Sequence, residues 1–422
     1  MVWLPIIRQY GRQHGNFTYQ RINFAVNELW RWQYDDHVLC SCINISDTKR
    51  SHRDKCKYAK GKVKMAKRIV IMAGGTGGHV FPALAVAELL IEKGWQVSWL
   101  GTQKGLESRV IPEQGIEIDW LSVAGLRGKG IASKVSSVLR LFKACFQANK
   151  ILRQRKPNVV LGMGGFVAGP GGLMAKLLGI PLIIHEQNRI PGTTNRVLTH
   201  FANQTLEAFP NSFKKTANAK CTGNPLRKQF LIAPTIKRQQ SADNIKLLIV
   251  GGSQGAQILN EIVPKAIIQL QKTTLAKPTI EIKHQTGEAM LEEVKNSYKK
   301  LSINAETSAF IGDMVAAYTW ADLVICRAGA MTISEVAAIG VPTILIPLPS
   351  AIDDHQTANA HYLTDAGAGL MLMQHELNAV TLASYITEAL GKLQDMSVAA
   401  QNCARHDSTT VVANFCIAEA RS

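Results

Sequence analysis

Several short segments of this 422-residue chain carry residue types that could do chemistry. His79 closes the run Gly74-Gly75-Thr76-Gly77-Gly78-His79. A neutral imidazole there could take the proton of an attacking hydroxyl, an effect worth ~10²–10⁴-fold in rate. It could equally cap or pack against a helix. Glu335 ends Thr332-Ile333-Ser334-Glu335, the spacing of a capping box, in which the carboxylate would only tie its own helix start. The glycine turn Arg327-Ala328-Gly329 just before it favours a second role, accepting two ribose hydroxyls. Asp353-Asp354-His355-Gln356 follows an apolar run, Pro342–Pro347. Adjacent aspartates invite a metal, but here they are expected to bond sugar hydroxyls, with no metal. Arg227, in Gly223-Asn224-Pro225-Leu226-Arg227, is expected to grip a phosphate bidentately.

Glycine-rich turns frame these groups. Gly74–His79 follows a short apolar strand and precedes a helix, read here as Phe81–Lys93. Glycines let backbone approach a ligand, and a helix start offers free N–H groups and partial positive charge, so the loop suits a phosphate. Gly251-Gly252-Ser253-Gln254-Gly255-Ala256 repeats the device in the second half, and Gly162–Gly172 adds a third glycine stretch. Neither strand-turn loop has the Gly-x-Gly-x-x-Gly spacing, the following strands lack the acidic residue of a dinucleotide site, and no Walker lysine motif is present. Nicotinamide oxidoreductases and P-loop NTPases are therefore disfavoured.

The elements that must position these groups alternate. Arg68–Ala73, Gln96–Leu100, Asn158–Leu161 and Leu182–His185 read as buried parallel strands. A second series runs Lys246–Val250, Thr279–His284, Leu323–Cys326 and Thr343–Ile346. Lys237–Asn244, polar and turn-rich, separates the two. The expected fold is α/β: two doubly wound Rossmann-like domains facing across a cleft, with ligands at the carboxyl ends of the strands. Expected boundaries are 65–223 and 224–405, with a last helix within 406–422 packing back on the first domain. Residues 1–64 differ, with 12 Lys/Arg against 5 Asp/Glu and no sustained period. They read as a flexible basic extension or a gene-start artefact, with Met65 the expected functional start.

Composition narrows the class. A formal charge of +17 favours anionic partners. The eight cysteines lack a CxxC pair, which suits reduced thiols in the cytoplasm rather than a zinc site. No secretory signal is evident. Val159–Ile184 is long enough to span a bilayer, but seven Gly, two Pro and Lys176 break it into strand, loop and short helix. Membrane contact would be peripheral. The stretch Leu126–Lys156 supplies a candidate surface, with Val135, Val138, Leu139 and Phe142 at helical spacing between Arg127, Lys129, Lys134, Arg140 and Lys143. No interleaved aromatics suggest base stacking, so nucleic acid is not an expected partner.

With these motifs in place, the chain resembles the MurG family of bacterial N-acetylglucosaminyltransferases from about Lys67 to its end. The resemblance rests on Gly74–Pro82, Gly162–Pro170, His185-Glu186-Gln187-Asn188, Gly223–Arg227, Gly251–Ala256, Arg327–Glu335 and Asp353–Asn359. It implies a GT-B fold and inverting transfer of N-acetylglucosamine from UDP-N-acetylglucosamine to the C4 hydroxyl of undecaprenyl-diphospho-N-acetylmuramoyl-pentapeptide, lipid I, in peptidoglycan synthesis. No cofactor is implied. His79 and Asn188 would line the catalytic cleft. Ser253 and Arg227 would contact the UDP diphosphate, Glu335 the ribose and Gln356 the donor sugar. Thr76, Gly77, Gly78, Gln254, Gly255, Ala256, Ile311, Met331 and Thr332 would complete the donor site. Gly75, Gly78, Gly164 and Gly165 would face the acceptor diphosphate. The family's apolar membrane patch maps onto Val135, Leu139 and Phe142, with Cys145 in the last place. That implies docking on the anionic cytoplasmic face of the inner membrane and leaves room for contacts with other cell-wall synthesis proteins. Two alternatives stay open: a UDP-N-acetylglucosamine 2-epimerase on the same fold, and a non-enzymatic basic protein that binds membrane or nucleic acid.

Overall fold

Apolar runs of four to seven residues dominate both sheets, as strands buried on two faces require. The computed structural model describes residues 66–122, 131–234, 244–252, 255–273 and 279–420, with the side chains of 131–138, 273 and 352 outside that description. The expectations for residues 1–64, for Ser253 and Gln254, and for most of the 237–244 linker fall outside it.

The first sheet contains β1 (Arg68–Met72), β2 (Gln96–Gly101), β3 (Glu117–Trp120), β4 (Val159–Gly162), β5 (Leu182–Glu186), β6 (Gln204–Glu207) and β7 (Lys220–Cys221). All pair in parallel, in the order β3-β2-β1-β4-β5-β6-β7. The second contains β8 (Asn244–Val250), β9 (Thr279–Gln285), β10 (Ala305–Ser308), β11 (Leu323–Cys326), β12 (Thr343–Leu345) and β13 (Gly369–Met371), in the order β10-β9-β8-β11-β12-β13. Each order reverses once, between β1 and β4 and between β8 and β11. That switch point is where open α/β sheets bind ligands, beyond the carboxyl ends of the strands.

Helices cover both faces. In the first half they are α1 (Gly77–Glu92), α2 (Glu107–Glu113), α3 (Ile131–Arg155), α4 (Ala168–Leu177), α5 (Thr193–Leu198) and α6 (Lys228–Leu231). The second half has α7 (Gln257–Thr273), α8 (Leu291–Lys300), α9 (Met314–Trp320), α10 (Ala330–Ile339), α11 (His355–Thr364), α12 (Ala379–Leu390), α13 (Leu393–Cys403) and α14 (Ser408–Glu419). Ile69, Ile71, Val159 and Leu161 are fully buried on one face of the first sheet and Val70, Val160 and Leu182 on the other. Each such side chain contributes about 1.5–3 kcal/mol of burial energy. In the second half Leu248, Val324 and Leu345 pack on α10, while Leu247, Ile249 and Ile325 pack on α7 and α12.

The last helix, α14, returns to the first sheet. Its Val412, Ala413 and Cys416 join the core that holds Ile69 and Val80. At its start the Ser408 hydroxyl donates to the Asn224 carbonyl at 2.7 Å, and the Thr409 hydroxyl donates to Leu226 O at 2.9 Å. The chain crossing between sheets is thereby clamped, and Met65–Ser422 forms one compact unit.

Two local expectations need correction. The first helix starts at Gly77, not Phe81, so Gly77, Gly78 and His79 form its opening turn. Pro82, the sixth residue of the helix, lacks an N–H and so forfeits the bond to the Gly78 carbonyl. Five strands of the two sheets, β3, β6, β7, β10 and β13, lacked an apolar signature: they have two to four residues each, with polar side chains among them in every case but β13.

Candidate active site

The β1–α1 and β4–α4 loops meet at the first switch point. Gly74 is buried, while Gly75 and Thr76 are exposed at the mouth. Glu107 sits behind this loop, accepting from the Gly75 amide at 2.9 Å and from the Thr102 amide and hydroxyl at 2.8 and 2.7 Å. Gly164 lies against the His79 ring: a Cβ at this position would come within 2.9 Å of Nδ1 and Cε1. The imidazole is held by a 2.8 Å hydrogen bond between Nδ1 and Gln187 Oε1. His79 is therefore neither a cap nor a core filler; its ring is fixed between two loops at the open end of the sheet.

Behind Gln187 stands His185, fully buried at the end of β5. Its Nε2–H donates to the Gly223 carbonyl at 3.0 Å. Burial pushes its pKa down to about 4, only partly opposed by that bond, so the ring is neutral.

In the second half, the loop after β8 turns through left-handed Gly252 and Gly255 into α7. Gly255 is packed so tightly that a Cβ would fall 2.1 Å from the Thr286 carbonyl oxygen. The Leu259 and Asn260 amides bond the Ala256 carbonyl, while the amides of Gln257 and Ile258, ahead of them, have no acceptor within the helix. Ala256 is buried at the helix start.

α10 begins at Ala330 with Gly329 as its N-terminal cap and no side-chain cap bond. Thr332 is thus the third helical residue and the capping-box reading fails. Glu335 instead accepts from the Tyr318 hydroxyl at 3.4 Å and pairs with Arg227 at 3.7 Å. Burial raises its pKa to about 7, against the lowering pull of Arg227 and Tyr318. Arg227 itself lies over the rings of Phe81 and Phe230, 5.5 and 5.2 Å from their centroids. Phe81 belongs to α1 and Glu335 to α10, so Arg227 ties the two halves together beside the cleft.

Asn359, fully buried on α11, forms a second tie. Its Nδ2 donates to Asn188 Oδ1 and to Ala328 O, both at 3.2 Å, and its Oδ1 accepts from the Arg189 amide at 2.9 Å. Asn188 also donates to Glu186 Oε1 from its backbone and side chain. The amide predicted to line the catalytic cleft therefore braces the two sheets in this conformation.

Gln356 Oε1 accepts from the Leu348 amide at 3.0 Å, which leaves its NH₂ as the outward donor. The two aspartates before it are engaged by protein: Asp353 by Arg196 at 2.7 Å, and Asp354 by the Thr357 hydroxyl at 2.7 Å. Both adopt left-handed backbone, φ 52°. The sugar contacts expected of them would have to share the carboxylates with these partners. Among the described residues no group of three or more His, Cys, Asp or Glu could hold a metal ion. Met331 and Thr332 occupy the first turn of α10, and Ile311 the loop before α9.

Leu139 and Phe142 lie elsewhere, exposed on α3, and Val135 is on the same helix with its side chain outside the described residues. Phe146, 74% exposed, extends the Leu139–Phe142 stripe. It was missed beside Cys145, although its spacing of four from Phe142 gave the signal. Among the described residues no helix is long and apolar enough to cross a membrane. Gln187 and Asn359, members of the His185–Asn188 and Asp353–Asn359 motifs, were given no role by the sequence.

Paired Rossmann-like sheets with a fixed histidine and glycine turns across one cleft define the GT-B architecture. Residues 69–207 match the glycosyltransferase family 28 N-terminal domain and residues 246–412 its C-terminal domain. The chain belongs to the MurG family. It is 56% identical, over 84% of its length and 99% of the relative's, to the UDP-N-acetylglucosamine--N-acetylmuramyl-(pentapeptide) pyrophosphoryl-undecaprenol N-acetylglucosamine transferase of Methylococcus capsulatus. The crystal structure of MurG from Acinetobacter baumannii superposes with a TM-score of 0.73 at 41% identity, covering 83% of this chain and 99% of that one. A UDP-N-acetylglucosamine 2-epimerase structure shares the fold alone, at 13% identity and a TM-score of 0.54, over 82% of this chain and 94% of its own.

Proposed function

We propose that this protein transfers N-acetylglucosamine from UDP-N-acetylglucosamine to lipid I, forming lipid II. The single observation that carries this is the 56% identity to a relative of that name along its whole length, reinforced by the meeting of the quoted motifs at one cleft.

In the proposed reaction the C4 hydroxyl attacks the anomeric carbon in one inverting displacement. The C–O bond to the diphosphate breaks as the new glycosidic bond forms, and the hydroxyl proton passes to His79. UDP departs toward the start of α7, where backbone amides and the helix dipole meet its charge. Arg227 adds a cation and Glu335 accepts from the ribose hydroxyls, while the free NH₂ of Gln356 addresses the sugar. Charge neutralisation is assigned to the helix start and Arg227. Gly75, Gly78, Gly164 and Gly165 line the acceptor side. Leu139, Phe142 and Phe146, flanked by exposed Arg140 and Lys143, dock the protein on an anionic cytoplasmic membrane face.

The test is incubation with labelled UDP-N-acetylglucosamine and a short-chain lipid I analogue in EDTA. Labelled lipid II is the expected product. Free N-acetylmannosamine or its UDP form without lipid product would establish the epimerase reading instead.

A further inference from the structure

Behind the reactive histidine runs a chain of hydrogen bonds whose direction is fixed at its far end. The Gly223 carbonyl can only accept, so the Nε2 of His185, 3.0 Å away, must carry a proton. A neutral His185 then has a bare Nδ1, which can only accept. Gln187 Nε2 lies 3.1 Å from that nitrogen and 3.3 Å from the His185 carbonyl, two acceptors. The amide NH₂ must therefore face His185, and Oε1 must face His79. Flipping the amide would set Oε1 against two acceptors and require a charged imidazolium in a fully buried site. An amide oxygen cannot donate, so His79 Nδ1, at 2.8 Å, holds the proton.

The remaining lone pair of His79 is then on Nε2, away from Gln187. Free imidazole side chains prefer the opposite tautomer, with the proton on Nε2, in which this nitrogen could accept nothing. We infer that Gln187 and His185 are positioning residues that lock His79 in the Nδ1–H tautomer, so that Nε2 is bare for the acceptor hydroxyl. Gly164 makes room for the bond, since a Cβ there would come within 2.9 Å of His79 Nδ1 and Cε1 and 3.5 Å of Gln187 Oε1. The far anchor, Gly223, lies where the chain passes from one sheet to the other, next to Asn224, whose carbonyl accepts from Ser408 at the start of α14. A Cβ on it would come within 2.5 Å of the Arg405 side chain. The orientation of the base is thus tied to the interdomain crossing.

This inference rests on His79 being the base, and the experiment separates the two. Nitrogen-15 NMR of the full chain with labelled histidine, at a pH well above the histidine range, reads the tautomer directly. The His79 signals are identified by their loss in His79→Gln. The expected result is a protonated Nδ1 and bare Nε2 for His79, and the reverse for His185. A protonated Nε2 on His79 in the parent overturns the lock whatever the activity shows. In Gln187→Leu, the His79 pattern should shift toward Nε2–H and kcat should fall by roughly 10-fold or more, within the ~10²–10⁴ a positioned base supplies, while UDP affinity is unchanged. An unaltered kcat in a folded, UDP-binding Gln187→Leu protein also overturns it. Full turnover in His79→Ala removes the base assignment but leaves the tautomer measurement standing.

Discussion

Gly165 rests directly on Gly74: a Cβ on the former would lie 2.4 Å from the latter's carbonyl oxygen. The two glycine loops of the first sheet are stacked back to back, and Gly165 turns with φ 79°. These glycines are required by packing as well as by any phosphate they meet. Gly165→Ala should lower stability by about 1–3 kcal/mol for the left-handed backbone and displace the loop that carries His79. Chemical denaturation and turnover should fall together; a stable, fully active variant would contradict the stacking.

Removing the base separates chemistry from binding. His79→Ala should cut turnover by ~10²–10⁴-fold with little change in UDP affinity by calorimetry. Turnover within a few-fold of the parent would place the base elsewhere.

The proposed ribose contact of Glu335 predicts a pH-dependent donor affinity. Burial holds the carboxyl's folded pKa at about 7, above the ordinary carboxylate value of 4.5, so between those two values the folded state keeps a proton that the unfolded state has released. The stability from this group is complete below the unfolded value and is lost as pH rises through about 7. Ribose hydroxyls need the carboxylate, so donor KM should fall as pH rises through about 7. Glu335→Gln should raise donor KM about 10-fold, the scale of a lost charged hydrogen bond, and flatten its pH profile. An unchanged profile in that variant would remove Glu335 from the donor site.

The exposed stripe on α3 predicts membrane affinity without catalytic effect. Phe142→Ser with Phe146→Ser should weaken binding to anionic vesicles by at least about 10-fold, given ~1.5–3 kcal/mol per buried large apolar side chain. Transfer to a water-soluble acceptor should be unaffected. Equal vesicle binding by parent and variant would show that this face does not dock.

Much of the fold was legible because buried parallel strands announce themselves as apolar runs ending in glycine turns: Arg68–Met72 before Gly74 and Asn244–Val250 before Gly251. The start of α1 was not, since Gly77 and Gly78 are poor helix formers and only tertiary packing makes them helical. Glu335 was placed at the right helix but at the wrong position in it, because a Thr-x-x-Glu spacing does not reveal that the helix opens at Ala330. Gln187 and Asn359 act through partners over 100 positions away in sequence, His79 and Asn188 respectively, a relation no local pattern contains.

The central claim is that the start of α7, with Arg227, receives the departing nucleotide diphosphate. Calorimetric titration of the parent protein with UDP in EDTA tests it most directly. Saturable one-to-one binding, weakened in Arg227→Ala, is the predicted result; absence of heat or of any thermal stabilisation at saturating UDP would contradict the account.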